Sequence, residues 1–358
     1  MKQISKTLCV RAISWLLPVI AVAAGARGSD ALEDTVSANM VLVEGGMFEM
    51  GDVFGEGREN ERPVHQVTLS DFFISKYEVT VAQFRQFVEE TGYRTSAEGL
   101  NDVDARGKIM KRFSSENLTV QERQKLHEEF LKHCGAGFWD AEKRQWTGYN
   151  PLTTWRNPGI EQTADNPVLA VSDDDAMQYC NWLSERAGLP VAYDLETGGI
   201  LGEDGNPTDN VTSVKGYRLP TESEWEYAAR EGGRRVRFGN GKDIAKSSEM
   251  NFRADDGEYE YLELGQYPKG TSPVGSYPPN SLGLYDMSGN AWEWVSDKFA
   301  TYTNEARTNP YGTGARGHAL RGGRWGGDAS EARVFSRSSW VRNDRCNNSG
   351  FRIARSAN

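Results

Sequence analysis

The stretch that decides the fold is Gly283-Leu284-Tyr285-Asp286-Met287-Ser288-Gly289-Asn290-Ala291-Trp292-Glu293-Trp294. Two further blocks follow it, Leu320-Arg321-Gly322-Gly323-Arg324-Trp325 and Asn348-Ser349-Gly350-Phe351-Arg352. All three lie beyond Arg234, where helix signals stop. Short apolar pieces alternate there with Gly, Pro and Asn turns, the pattern of irregular β structure. Between the second and third blocks, the segment from Trp325 to Arg337 carries no cysteine.

The chain has 358 residues, 38% hydrophobic and 26% charged, enough for one large domain or two small ones. Its 38 glycines and 11% aromatic content, with ten tryptophans, predict a loop-rich domain pinned by large rings. Lys2, Lys6 and Arg11 precede a mostly apolar run, Ala12 to Ala23, that is too short to span a bilayer comfortably. Small residues follow up to Ala26, so residues 1–26 read as an export signal and 27–39 as a flexible lead-in. The expected location is therefore periplasmic or secreted, with no membrane span. Cleavage near Ala26 leaves 38 basic against 51 acidic residues, a formal charge of −13, which argues against nucleic acid as a partner. The charge is uneven: from Arg316 to Arg355 there are nine arginines and only three acids, Asp328, Glu331 and Asp344. Cys134, Cys180 and Cys346 would remain after cleavage, an odd number too widely spaced for a CxxC site. They allow one disulfide without saying which.

Upstream, Met40-Val41-Leu42-Val43, Phe48-Glu49-Met50, His65-Gln66-Val67-Thr68-Leu69 and Phe72-Phe73-Ile74 read as strands. Four helices announce themselves by a hydroxyl residue with Gln, Glu or Asp three positions on: Thr80 with Gln83, Thr119 with Glu122, Ser172 with Asp175, and Thr221 with Glu224. The first buries Phe84, Phe87 and Val88 and ends at Gly92; the third buries Ala176, Tyr179, Cys180 and Leu183. The polar, glycine-containing stretch 192–215 reads as an insertion loop.

Taken in order, these blocks resemble the formylglycine-generating enzyme (sulfatase-modifying factor) family. Leu42-Val43-Glu44-Gly45-Gly46-Met47-Phe48-Glu49-Met50-Gly51, Arg62-Pro63-Val64-His65, Tyr77-Glu78-Val79-Thr80, Asn157-Pro158-Gly159 and Asn166-Pro167-Val168 all fit its pattern. So does Arg218-Leu219-Pro220-Thr221-Glu222-Ser223-Glu224-Trp225-Glu226, and the C-terminal frame completes the set. The resemblance covers residues 40–356 as a single domain. It implies an α+β, C-type-lectin-like fold with little regular secondary structure. Branches of this family oxidise a sulfatase cysteine with copper and oxygen, form sulfoxides with iron, act on exported pyoverdine precursors, or bind ligands as variable receptors.

The resemblance also says which chemistry is missing. The family's two cysteine positions fall near Gly327 and Ala329, and neither residue offers the soft thiolate that Cu(I) selects. An iron site needs about three histidine or carboxylate ligands. His65, His127, His133 and His318 are scattered, with His127 and His133 on opposite helix faces, so iron is disfavoured as well. Calcium fits better: the resemblance places its structural site at Asp286, Gly289, Ala291 and Glu293, all hard oxygen donors. Gly312-Thr313-Gly314-Ala315-Arg316-Gly317 matches a dinucleotide-loop pattern but leads into a strand, so it reads as a turn. Asp173-Asp174-Asp175 sits in a first helical turn, where acids offset the dipole.

The expected functional surface is Arg324, Trp325, Ser336, Ser338, Trp340, Arg342, Asn343 and Arg345, a mixture of guanidinium, ring and hydroxyl groups where the family places its groove. Arg321 and Arg352 belong to family motifs and are expected to pair with carboxylates. Two functions follow. One is an exported maturation enzyme, acting on a peptide or protein by chemistry other than the two-cysteine copper mechanism. The other is a non-catalytic lectin-like module whose groove holds an exported peptide, protein or glycan, as in a retroelement-diversified variable protein.

Overall fold

The structure is a computed structural model that describes residues 36–98, 112, 118–131, 135–314 and 317–357. The expected export signal, most of the lead-in, Cys134 and His133 lie outside the described residues. Among the described residues the first strands are β1 (Met40–Val43), β2 (Gly46–Met50), β3 (His65–Leu69) and β4 (Phe72–Ser75). Helices α1 (Val81–Thr91) and α2 (Val120–Leu131) precede the hairpin of β5 (Ala136–Asp140) and β6 (Gln145–Asn150). Next come α3 (Asp173–Arg186), a small hairpin of β7 (Tyr193–Asp194) and β8 (Gly199–Ile200), and α4 (Glu222–Ala229). The remainder holds β9 (Ala245–Lys246), β10 (Leu262–Glu263), β11 (Trp292–Lys298) and β12 (Arg307–Thr308). It closes with β13 (His318–Arg321), β14 (Arg337–Trp340), β15 (Ser349–Phe351) and β16 (Ala354–Ser356).

The capping signals act where the sequence puts them. Thr80, Ser172 and Thr221 each accept the amide of the residue three positions on, and Gln83, Asp175 and Glu224 return the bond. Thr119 and Glu122 make the same exchange at α2. Gly92 ends α1 at φ +67°, a conformation that costs glycine nothing.

Three small sheets carry the architecture. The termini meet in one of them, with β4 flanked antiparallel by β1 and β16. A second places β3 between β12 and β2. The third, in the order β14-β13-β11-β15, is built from the C-terminal frame, with β15 parallel to β11. The stretch 192–215 is more than a loop: it contains β7 and β8 and sends Ala192, Tyr193, Ile200, Val211 and Val214 into the largest apolar cluster.

Helix α4 is buried along its whole length, although three of its eight residues are glutamates. Each glutamate is met by arginine. Arg337 forks onto Glu222 at 2.7 and 2.6 Å, and Arg218 onto Glu224 at 2.6 and 2.7 Å. Glu226 takes Arg230 at 2.9 Å and Arg321. Between them Trp225 Nε1 donates to Glu293 at 2.7 Å, and Glu293 is forked by Arg352 at 2.6 and 2.7 Å. The expected carboxylate pairing of Arg321 and Arg352 is thus present.

Removing one partner of such a pair leaves a stranded buried charge. Arg218→Met should lower unfolding free energy by about 3–5 kcal/mol in a urea titration, and adding Glu224→Gln should recover part of the loss. A cost near zero would mean that the pair does not hold α4.

Candidate functional site

The eight residues expected to form one surface divide among three places. Arg324 is half-buried, with Nε 2.9 Å from Glu331 and its guanidinium 4.3 Å over the Trp139 ring. Trp325 beside it is fully buried, stacked on Tyr267 at 6.3 Å, with Nε1 3.4 Å from the Asn347 carbonyl. Trp340, Arg342 and Asn343 gather elsewhere, around the start of α3. Trp340 lies edge-on to Trp294 at 5.7 Å. Arg342 donates to Asp174 at 2.8 Å and to the carbonyls of Leu195 and Glu196, while the Asn343 amide donates to Asp173 at 2.8 Å. The remaining three are inward or between. Ser336 is buried with no hydrogen-bond partner for its hydroxyl among the described residues. Arg345 is fully buried and donates to the Gly135 carbonyl at 2.9 Å. Ser338 lies half-buried on β14 opposite Leu320.

The β5–β6 hairpin covers Arg324 and the loop that follows it. The amide of Gly137 donates to the Arg345 carbonyl at 2.8 Å, and the Asn347 amide donates to the Gly137 carbonyl at 3.0 Å. The Asn347 side chain accepts from the Trp139 amide at 2.9 Å and donates to the Trp139 carbonyl at 3.1 Å. Trp139 Nε1 then reaches the Tyr267 hydroxyl at 3.2 Å. The approach to the loop is so close that a Cβ on Gly326 would lie 2.7 Å from Trp139 Nε1. On its outer side Trp139 forms a wall of an open cleft of about 890 Å³, bounded by Phe138–Glu142, Gly159–Thr163 and Pro268–Thr271. Sequence reading missed Trp139, Tyr267 and Phe138, because neither periodicity nor a motif distinguishes them from the other aromatic residues.

Gly327 and Ala329, where the resemblance would put the family's cysteines, have structural roles here. The Ala329 methyl is fully buried in an apolar cluster with Phe238, Met250, Phe252 and Ala332. Gly327 accepts the Arg253 amide at 2.8 Å, and a Cβ there would lie 2.3 Å from a Glu331 carboxylate oxygen. Cys346 and Cys180 are buried and not bonded to each other. Burial pushes the Cys346 thiol up to about 12, well away from the thiolate.

The 283–294 loop turns through left-handed conformations at Asp286 (φ +56°), Gly289 (φ +89°) and Asn290 (φ +62°). This brings Asp286 and Glu293 into one buried group, and a third carboxylate, Glu78, joins from the segment before α1. Glu78 accepts the Ala291 amide at 3.1 Å and the Asn290 side-chain amide at 2.7 Å. Asp286 accepts the Gly275 amide at 2.8 Å. Arg352 is the cation this trio shares, and it is spent on Glu293. Burial, then the charges of Asp286 and Glu293, push Glu78 well above the usual carboxylate range; burial raises Asp286 to about 6. An excess of desolvated oxygen anions is what a hard divalent cation relieves. Among the described residues, however, no three of these side chains are grouped closely enough to form a metal site as they stand.

Comparison with known proteins bears on this geometry. The sulfatase-modifying factor enzyme 1-like domain matches residues 28–357. The formylglycine-generating enzyme of Streptomyces coelicolor is 31% identical, covering 94% of this chain and 95% of its own length. The inactive C-alpha-formylglycine-generating enzyme 2 of Bos taurus is 29% identical over 90% of this chain and 89% of its own. Among solved structures, PvdO from Pseudomonas aeruginosa superposes with a TM-score of 0.55 at 24% identity, covering 88% of this chain and 93% of its own. Treponema denticola variable protein 1 does so with 0.57 at 22%, covering 88% and 94%. These two show a shared fold. The near-complete family match and a relative above 30% identity, found on a fold whose signature motifs form its buried framework, establish that the chain belongs to the sulfatase-modifying factor (formylglycine-generating enzyme-like) family.

Proposed function

We propose that this protein is an exported, ligand-binding member of its family, without the two-thiol copper oxidase step, and that the cleft walled by Trp139 takes a segment of an exported peptide or protein. The observation that carries this reading is the fate of the catalytic loop. Gly327 and Ala329 supply no sulfur, Ala329 is sealed in an apolar cluster, and Trp139 lies over Arg324 where the loop would face a substrate. The open cleft on the far side of the same indole remains available, and its mixed walls, apolar at Phe138, Trp139 and Ile160 and polar at Glu161, Gln162 and Lys269, suit an extended chain. Loss of catalysis has a precedent in a relative whose name calls it inactive.

Calcium completes the reading as a structural ion. Asp286 and Glu293 would supply side-chain oxygens and Gly289 and Ala291 carbonyls, with Glu78 alongside. The ion would neutralise the buried carboxylates and fix the turn that launches β11.

Supplied with Cu(I), oxygen and a sulfatase-derived cysteine peptide, the protein should form no aldehyde and consume no oxygen; turnover would overthrow the reading. Panning a randomised dodecapeptide phage library should enrich binders on the wild type, and the exposed cleft substitution Glu161→Trp should lose them without a shift in unfolding midpoint.

A Cys134→Ser variant should react with a disulfide reagent only as fast as it unfolds. Rapid stoichiometric labelling of Cys346 would revive thiol chemistry.

At a calcium concentration a hundredfold above Kd, stability should rise by about 2.7 kcal/mol, and Asp286→Ala should abolish the rise. Asp286 holds its proton more tightly folded, to about 6, than unfolded, near 3.8. Without calcium its contribution is therefore fully present below 3.8 and lost as pH rises through 6, while calcium stabilisation grows over the same interval. Thermal melts at pH 4, 5, 6 and 7, with calcium or chelator, read both trends; parallel curves would exclude the site.

A further inference from the structure

Two stretches that the cleft at Trp139 and the carboxylate group leave unused, 192–215 and the turn after β12, meet at the C-terminal end of β11. They enclose a pocket of about 330 Å³ that shares no lining residue with either of those sites. Ile200 and Pro207 line it from the first stretch, Tyr311 and Thr313 from the second. Two charged residues join them, Asp209 and Lys298. Lys298 stands opposite His318 in the register of β11 with β13, as Trp294 stands opposite Leu320. His318 is two residues from Leu320, so both pairs occupy one face of the sheet. Trp294 and Leu320 belong to the apolar cluster that Ile200 enters, so the Lys298 side chain leaves β11 toward β8 and the pocket. Its charge is felt on that face: burial, then Lys298, lower the His318 imidazole to about 4. The Asp209 charge is felt at the pocket too, since burial, then the charges of Asp297 and Asp209, raise the Tyr311 hydroxyl.

Neither charge is answered. Lys298 is half-buried, and its ammonium has no hydrogen bond or ion pair with Asp209 or any other described residue. The exposed Asp209 carboxylate is equally without a partner among the described residues. A simple anion would satisfy Lys298 and be repelled by Asp209, and a simple cation would meet the reverse. A ligand that carries both charges, held apart, satisfies the two at once. We propose that this pocket binds a small zwitterion, a free α-amino acid, with its carboxylate on Lys298, its ammonium on Asp209 and its side chain against Ile200 and Pro207. The volume is at the lower end of small-molecule sites, which suits a ligand of that size and exceeds the needs of a single water. The site is independent of the peptide cleft.

Ligand-observed NMR on the full chain, with each of the twenty common amino acids, tests this. The amino acid bound best is then compared with its N-acetyl form, which lacks the cation, and its amide, which lacks the anion. Wild type should bind the zwitterion about 5-fold more tightly than either, the scale of one partly exposed ion pair. Asp209→Asn should erase the preference over the N-acetyl form, and Lys298→Met the preference over the amide. Both positions reach solvent, so thermal melts should show each variant folded. Absence of saturable binding by any amino acid, equal binding of the three forms by wild type, or preferences that survive both substitutions would each overturn the proposal.

Discussion

Ion pairing inside α4 is the constraint on which the remaining structure depends. A helix without a solvent face has to satisfy every polar group it carries, and this one carries three glutamates. Their partners come from distant places: Arg218 lies just before the helix, Arg321 on β13, and Arg337 at the head of β14. Fixing those arginines fixes the strands that hold them. Trp225 extends the same logic through Glu293 to Arg352, so that β11 and the segment after β15 are joined to the helix by one indole and one fork. Neutralising Glu222 here releases the head of β14, and neutralising Glu226 releases Arg321 of β13.

Local hydrogen bonding is what the sequence states most clearly. The four capping exchanges are complete within three residues, so residue type and spacing decide them. Motif identity was legible too, because glycines such as Gly289 sit where a Cβ would meet backbone, 2.2 Å from the Asn251 carbonyl oxygen. Exposure was not legible. The arginine-rich C-terminal stretch looks like a recognition surface, yet Arg321, Arg333, Arg337, Arg345 and Arg352 are all buried. A guanidinium faces water or carboxylate according to partners as far as 272 residues away, as for Arg333 and Glu61, and no local pattern reports them. Trp325 and Ser336 are likewise buried, a placement that ring and hydroxyl chemistry alone does not report.

The β5–β6 hairpin gives the candidate site its character. It is fastened through backbone bonds to Arg345 and Asn347, through the Asn347 side chain, and through its own Trp139, Arg144 and Tyr149 side chains. Such fastening tolerates change only at the exposed positions whose side chains make none of these bonds. The segment beneath it is core, with Ala329 and Ala332 buried against Phe238 and Phe252.

A mechanical property follows from the way the ends of the fold are joined. β1 and β16 both run antiparallel to β4, one on each side of it, so they run parallel to one another. Met40 pairs at the Ser75 end of β4 and Ser356 at the Phe72 end. Tension applied between these two residues draws the outer strands along β4 in opposite directions. The inter-strand bonds lie across that pull and are loaded together, in shear, instead of being peeled one at a time. A tether at either end would therefore meet the fold along its most resistant direction.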